Sequence, residues 1–266
     1  MGSAKTASRA RLLPALCAVA VLALLATTAH AERTQNGNLI VSLNGGITPR
    51  KLPRNRPVPV AVHLAGRVLT SDKAPLPRVN WIRLELAWRG ILDTRGLAVC
   101  PRIRLIGADT RQAIERCGDA QVGRGRLFAR IFVPNQSPFD VRAHLTAFNG
   151  RTKAGRPAVL VHSYATHPPV AFVIPFSVHH KKGTFRTVLV ALIRRSAGPW
   201  PHVANFQISV SRSFNHEGAK HSYLSASCPV PKHFTAGFLS FARATYAFAD
   251  GRKLHTQAVR SCRARR

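Results

Sequence analysis

Apolar and polar residues alternate singly along much of the chain. Val58, Val60, Val62 and Leu64 interleave with Pro59, Ala61 and His63, and Ile82, Leu84, Leu86 and Trp88 with Arg83, Glu85 and Ala87. Val141 to Ala147 and Phe206 to Ser211 repeat the pattern. A period of two sends one set of side chains to each face of a sheet, so these runs predict antiparallel strands with one wet face. Further strands are expected over 38–43, 103–106, 125–133, 157–165, 170–178, 184–193 and 221–228. Asn149-Gly150 is expected to turn the chain after a strand over 140–148. Asp250-Gly251 is expected to join 238–249 to 252–261 as a tight hairpin. The expected fold is all-β, an antiparallel β-sandwich of immunoglobulin-like or similar kind.

One short helix interrupts this pattern. Asp109 and Gln112 form a capping-box pair, Gly118 can close the far end, and Ile114 and Cys117 share a face. Residues 1–31 form a secretory leader: Lys5, Arg9 and Arg11 precede an apolar run from Leu12 to Ala26, and Ala29-His30-Ala31 offers a cleavage site. That run is short for a membrane span, so an uncleaved N-terminal anchor is the minor alternative. Cys17 follows Leu16, where a lipoprotein leader would place a small residue. The mature chain would begin at Glu32 and lie outside the cytoplasm. A boundary at Thr166-His167-Pro168-Pro169 would divide it into two β-sandwich halves or domains, 32–165 and 166–266. Phe148-Asn149-Gly150-Arg151 and Phe248-Ala249-Asp250-Gly251-Arg252 hint at duplication, although hairpins converge on such chemistry.

Four cysteines remain after the leader: Cys100, Cys117, Cys228 and Cys262. An even number in an exported chain predicts disulfides. Of the three possible connectivities, Cys100–Cys117 and Cys228–Cys262 each close a local loop within one half. The first would staple the helix to the sheet.

The charge is far from balanced. Without Lys5, Arg9 and Arg11, 37 basic residues face 10 acids, a net +27. Residues 120–266 hold 22 of the basic residues and 3 of the acids. So few carboxylates exclude a calcium cage and leave little for acid–base chemistry.

Catalytic motifs are weak. His216-Glu217-Gly218-Ala219-Lys220-His221 is one residue too long for a zinc-protease H-E-x-x-H and reads as a hairpin turn. His179-His180-Lys181-Lys182 reads as a solvated strand end. There is no G-x-S-x-G and no P-loop, and Gly123-Arg124-Gly125 lacks the surrounding strand–helix unit of a phosphate loop. Lys153-Ala154-Gly155-Arg156-Pro157 is turn chemistry as much as a minor-groove hook. No catalytic, cofactor-binding or metal-ligating residue is assigned.

Cys100-Pro101 with Cys117-Gly118, then Phe148-Asn149-Gly150-Arg151, then Ser222-Tyr223-Leu224-Ser225-Ala226-Ser227-Cys228-Pro229, then Phe248-Ala249-Asp250-Gly251-Arg252 together resemble a group of exported actinobacterial proteins of unknown function. The resemblance covers nearly the whole mature chain. It implies export and a disulfide-bonded β fold, and it brings no activity. The function expected is non-enzymatic binding or structural work at the envelope, with anionic envelope polymers or lipid headgroups as partners. The alternatives are a secreted hydrolase or carbohydrate-active enzyme, marked by a pocket joining two of Glu85, Asp140 and Glu217 or several histidines, and nucleic-acid binding through the basic surface.

Overall fold

The computed structural model describes residues 32–87, 89–193, 197 and 201–265. The leader assigned to 1–31, with Cys17, lies outside the described residues, as do Trp88 and Arg266. Seven strands come first: β1 (Glu32–Asn36), β2 (Leu39–Thr48), β3 (Lys51–Leu52), β4 (Val58–Pro59), β5 (Ala61–Thr70), β6 (Val79–Ala87) and β7 (Gly90–Leu92). Helix α1 (Thr110–Cys117) follows a short 3-10 turn over Arg102–Leu105. Then come β8 (Gln121–Ile131), β9 (Phe139–Arg151), β10 (Pro157–Thr166), β11 (Pro169–His180), β12 (Phe185–Ala191) and β13 (Pro201–Val210). The chain ends with β14 (Ser213–His216), β15 (Ala219–Ser222), β16 (Leu224–Ala226), β17 (Ala236–Phe248) and β18 (Lys253–Ala264).

Thirteen strands form one sheet in the order β1-β2-β5-β13-β8-β9-β10-β11-β12-β6-β17-β18-β3. Its pairings are antiparallel except for the short β18–β3 contact. The sheet curls until its inner face surrounds a core, giving a sandwich or half-barrel. Val62 and Leu64 of β5, Ile82, Leu84 and Leu86 of β6, and Leu127 of β8 face the same interior as Phe206 and Ile208 of β13. The predicted alternation therefore sorts inside from outside. β1 comes to lie beside β18: the Thr34 hydroxyl donates to the His255 carbonyl and the Thr256 hydroxyl to the Glu32 carbonyl, each at 2.7 Å.

The two halves drawn at 166–169 interleave. Thr166 pairs with Pro169 across the β10–β11 turn, β12 pairs with β6, and β13 inserts between β5 and β8. Strands from either side of the boundary thus share one sheet.

Residues 97–120 cover part of the outer face. Asp109 accepts from the Gln112 N–H at 2.8 Å, and the Gln112 side chain accepts from the Asp109 N–H at 3.1 Å, the reciprocal cap expected. The helix buries Ala113 and Cys117, four residues apart, while Ile114 faces solvent. The Cys100–Cys117 disulfide is formed, as is Cys228–Cys262. Residues 103–106, expected as a strand, belong mostly to the 3-10 turn, which buries Leu105 under the helix.

Asn149-Gly150 is not a turn. It lies inside β9, and the turn is made by 152–156, where the Thr152 N–H bonds the Arg156 carbonyl and Gly155 has φ +74°. Buried Asn149 donates to the Ala98 carbonyl at 2.9 Å. A Cβ on Gly150 would stand 2.6 Å from Leu160 and 3.2 Å from the Cys100 carbonyl oxygen. The pair serves to seat the incoming segment at Cys100, which bridges to Gly150. Asp250-Gly251 does turn β17 into β18, with Gly251 at φ +87°. The two motifs proposed as duplicates therefore do different work.

Candidate functional site

The outer face of β5, β13, β8 and β9 carries a group of exposed basic side chains. Register fixes it row by row. His63, Ser209 and Arg124 lie directly across neighbouring strands; so do Ala65, Gln207, Arg126 and His144, then Arg67, Asn205, Phe128 and Arg142. Residues two apart on a strand share a face, so all these side chains point outward. Arg67, Arg124, Arg126 and Arg142 are exposed. From Arg124 to Arg130 the strand rises roughly 20 Å, with neighbours about 4.8 Å apart.

Glycine makes this row possible. A Cβ on Gly125 would meet the Gln207 carbonyl oxygen at 2.0 Å, and one on Gly123 the Ser209 carbonyl oxygen at 2.5 Å. β8 can lie this close to β13 only without those side chains. Gly-Arg-Gly-Arg over 123–126 therefore alternates close backbone packing with two outward guanidinium groups. A shallow trough of about 480 Å³ runs over this area, lined by Asn44, His63, Arg124, Arg126, Gln207 and Ser209 among others. A second, of about 460 Å³, continues past Arg67, Lys73, Phe128 and Arg130.

Among the described residues, carboxylates do not neutralise the face. Asp140 pairs with Arg130 at 2.7 Å, and that bond, against a little desolvation, holds its carboxyl below the usual range; Arg142 adds to this. Arg67, Arg124 and Arg126 have no ion pair among the described residues.

His63 Nδ1 lies 2.7 Å from Ser209 Oγ on this face. That is a nucleophile–base distance. A working pair also needs a group orienting the imidazole and donors for an oxyanion. No side chain among the described residues bonds His63 Nε2, and Ser209 lies within β13, paired across to His63 and Arg124, rather than on a sharp turn. The pair is read as a cross-strand polar contact.

The acids considered for catalysis are apart from one another. Glu85 is buried on the outer side of β6, several strands from this face, where Arg243 Nε reaches it at 2.6 Å and Lys181 also bonds it. Burial pushes its carboxyl up, but the bonds and charges of Arg243 and Lys181 outweigh this and leave it below the ordinary value. Glu217 is at the tip of the β14–β15 hairpin, with φ +49° beside Gly218 at +74°. The His216–His221 segment is therefore a turn. His216 packs on Gly96 and His221 lies 3.7 Å from Asp93. Among the described residues no group of three or more His, Cys, Asp or Glu side chains converges as metal ligands. His162 is fully buried beneath 97–120, with Nε2–H donating to the Ala108 carbonyl at 2.8 Å; burial pushes its pKa down.

Sequence reasoning missed the basic face because Gly123-Arg124-Gly125 was weighed as a loop. Its period of two, placed opposite the outward Gln207 and Ser209, is the signal that could have found it. No helix among the described residues is long and apolar enough to cross a membrane, and the two disulfides point to an extracytoplasmic protein. No family model, curated protein or solved structure matches the chain.

Proposed function

We propose that this is an exported, non-enzymatic binding protein whose basic sheet face holds anionic polymers of the cell envelope. One observation carries the reading: Arg67 on β5 and Arg124 and Arg126 on β8, with β13 between them, share one sheet face, exposed and, among the described residues, without carboxylate partners, beside troughs lined by the same strands. A linear polyanion can lie along such a track and meet a charge at each step. The leader at 1–31 and cleavage after Ala31 would bring the protein to that material, and both disulfides suit an oxidising compartment. Lipid headgroups offer the same charge without the length, so the track favours a polymer. A double helix would span the face too, but export separates the protein from the chromosome.

Exposed charges act through a screened field, whose reach shrinks from ~10 Å at 0.1 M salt to ~3 Å at 1 M. The mature protein, mixed with purified cell wall and with anionic and neutral vesicles, should bind the wall most tightly at low salt and release it at high salt. Equal binding to neutral and anionic surfaces, or none at low salt, would defeat the reading.

A further inference from the structure

The end of the sheet where β17 begins and β18 finishes carries two exposed aromatic rings. Phe238 is 82% exposed and Phe234 61%. Register sets their neighbours. Ala236, Arg263 and Lys51 lie across β17, β18 and β3, and Phe238 lies opposite Ser261, two residues before Arg263. Phe238, Arg263 and Lys51 therefore share the outer face. Phe234 sits in the loop that leads into β17, four residues from Phe238 and so within about 14 Å of it.

That loop is fixed by its backbone. The Arg54 guanidinium donates to the carbonyls of Val230 at 2.7 Å, Lys232 at 3.0 Å and Phe234 at 2.7 Å, and also to that of Pro231. The Ala264 N–H bonds the Thr235 carbonyl at 2.8 Å, and the Cys228–Cys262 disulfide ties the start of the loop to β18. The Phe234 ring stays exposed on this anchored loop.

Cations surround the rings, and no acid occurs in 50–59, 228–240 or 260–265. Arg50, Lys51, Arg56, Lys232, Arg263 and Arg265 are all exposed. Among the described residues none of them has an ion pair. Of their side chains only Arg265 makes a hydrogen bond there, to the Lys51 carbonyl at 3.2 Å. Backbone bonds hold the segments together: the Arg263 N–H reaches the Arg50 carbonyl and the Arg265 N–H the Leu52 carbonyl. Glu32 bonds the backbone at Gln257 and Val259, further back along β18.

Charge and apolar surface together select the partner. A soluble polyanion meets the cations but leaves both rings in water. An anionic bilayer meets both, because apolar groups sink about 5–10 Å into the boundary of headgroups and acyl chains, while long Arg and Lys side chains stay at headgroup level. We infer that this end of the protein docks on an anionic lipid bilayer, with Phe234 and Phe238 inserted below the headgroups and the surrounding cations at the phosphates. The surface is distinct from the basic face, since none of its residues lines either trough there.

The test is co-sedimentation of the mature protein with vesicles of phosphatidylglycerol and phosphatidylcholine in equal parts, with vesicles of phosphatidylcholine alone, and with purified cell wall. The parent should bind the mixed vesicles far more tightly than the neutral ones. Phe234→Ser with Phe238→Ser should weaken vesicle binding on the order of a hundredfold, about tenfold for each ring, and leave wall binding and the urea midpoint unchanged. Arg50, Arg56 and Lys232 to Gln should weaken vesicle binding about a hundredfold. Arg67, Arg124 and Arg126 to Gln should weaken it less than about threefold. Phe238→Trp adds a reporter of insertion: on mixed vesicles the added emission should move to shorter wavelength and be quenched by lipids brominated in their acyl chains. Vesicle binding undiminished in the Phe double variant, no emission shift in Phe238→Trp, or equal binding to neutral and mixed vesicles would each overturn the inference. Loss of self-association in the Phe double variant, with vesicle binding kept, would overturn it too and assign the rings to a second copy of the chain.

Discussion

The Glu85 cluster should respond very unequally to loss of its members. The Glu85 side chain is 2% exposed, against 35% for Arg243 and 43% for Lys181. Removing Arg243 leaves a buried carboxylate with one partner, whereas removing the carboxylate leaves two cations that can turn to water. Breaking a buried pair from one side costs about 3–5 kcal/mol. Lys181 stays in place, so Arg243→Met should cost about 3 kcal/mol. Glu85→Gln keeps acceptor and donor atoms in a site of the same shape, and should cost about 1 kcal/mol. In the double variant the cost should fall well below the sum, since the unpaired charge is gone. Proton linkage gives a second reading. In the parent, Glu85 titrates below its unfolded value, so its contribution is complete above about pH 4.3 and is lost as pH falls through the lower folded value. In Arg243→Met, loss of the Arg243 bond and charge raises the carboxyl relative to the parent, and its protonation relieves part of the penalty. The gap between parent and variant should therefore narrow from pH 7 to pH 4. Urea unfolding followed by tryptophan fluorescence at both pH values measures all of this. Equal costs for Arg243→Met and Glu85→Gln, or a gap independent of pH, would refute the argument.

Two further outcomes follow from buried groups elsewhere. His162 is held neutral under the covering segment, so the unfolded chain binds the extra proton; stability is complete above the unfolded pKa of about 6.5 and should decline as pH falls from there toward 5. His162→Gln, which can keep the Ala108 bond, should flatten that part of the urea-midpoint profile. Non-reducing peptide mapping should link Cys100 to Cys117 and Cys228 to Cys262, and Cys100→Ala with Cys117→Ala should cost on the order of 3 kcal/mol for its 17-residue separation.

Much of the fold was legible where one physical rule acted alone. Alternation located β5, β6, β9 and β13, because burial on one face admits few exceptions. The capping box of α1 and the Asp250-Gly251 hairpin were local chemistry, readable from neighbouring residues. Errors arose where tertiary contact overrode it. Asn149-Gly150 has turn chemistry, yet the arriving segment at Cys100 needs a buried amide and a missing side chain there. Ile114 looked inward by spacing, but the sheet takes Ala113 and Cys117. The boundary near 166 ignored that β12 and β13 return to pair with β6, β5 and β8. The basic face needed register across four strands, which no local pattern contains; only its Gly-Arg-Gly-Arg row was visible beforehand.

The central claim is that a particular face, and not net charge, holds the polyanion. The most direct measurement compares two triple variants that remove equal charge. Arg67, Arg124 and Arg126 to Gln removes three exposed cations from the face; Arg50, Arg56 and Lys232 to Gln removes exposed charge elsewhere. Each basic residue at an anionic surface contributes about 1 kcal/mol, so the first variant should bind purified cell wall roughly a hundredfold more weakly at 0.1 M salt. The second should lose less than about threefold. Equal losses in both variants, or full binding by the first, would contradict the account.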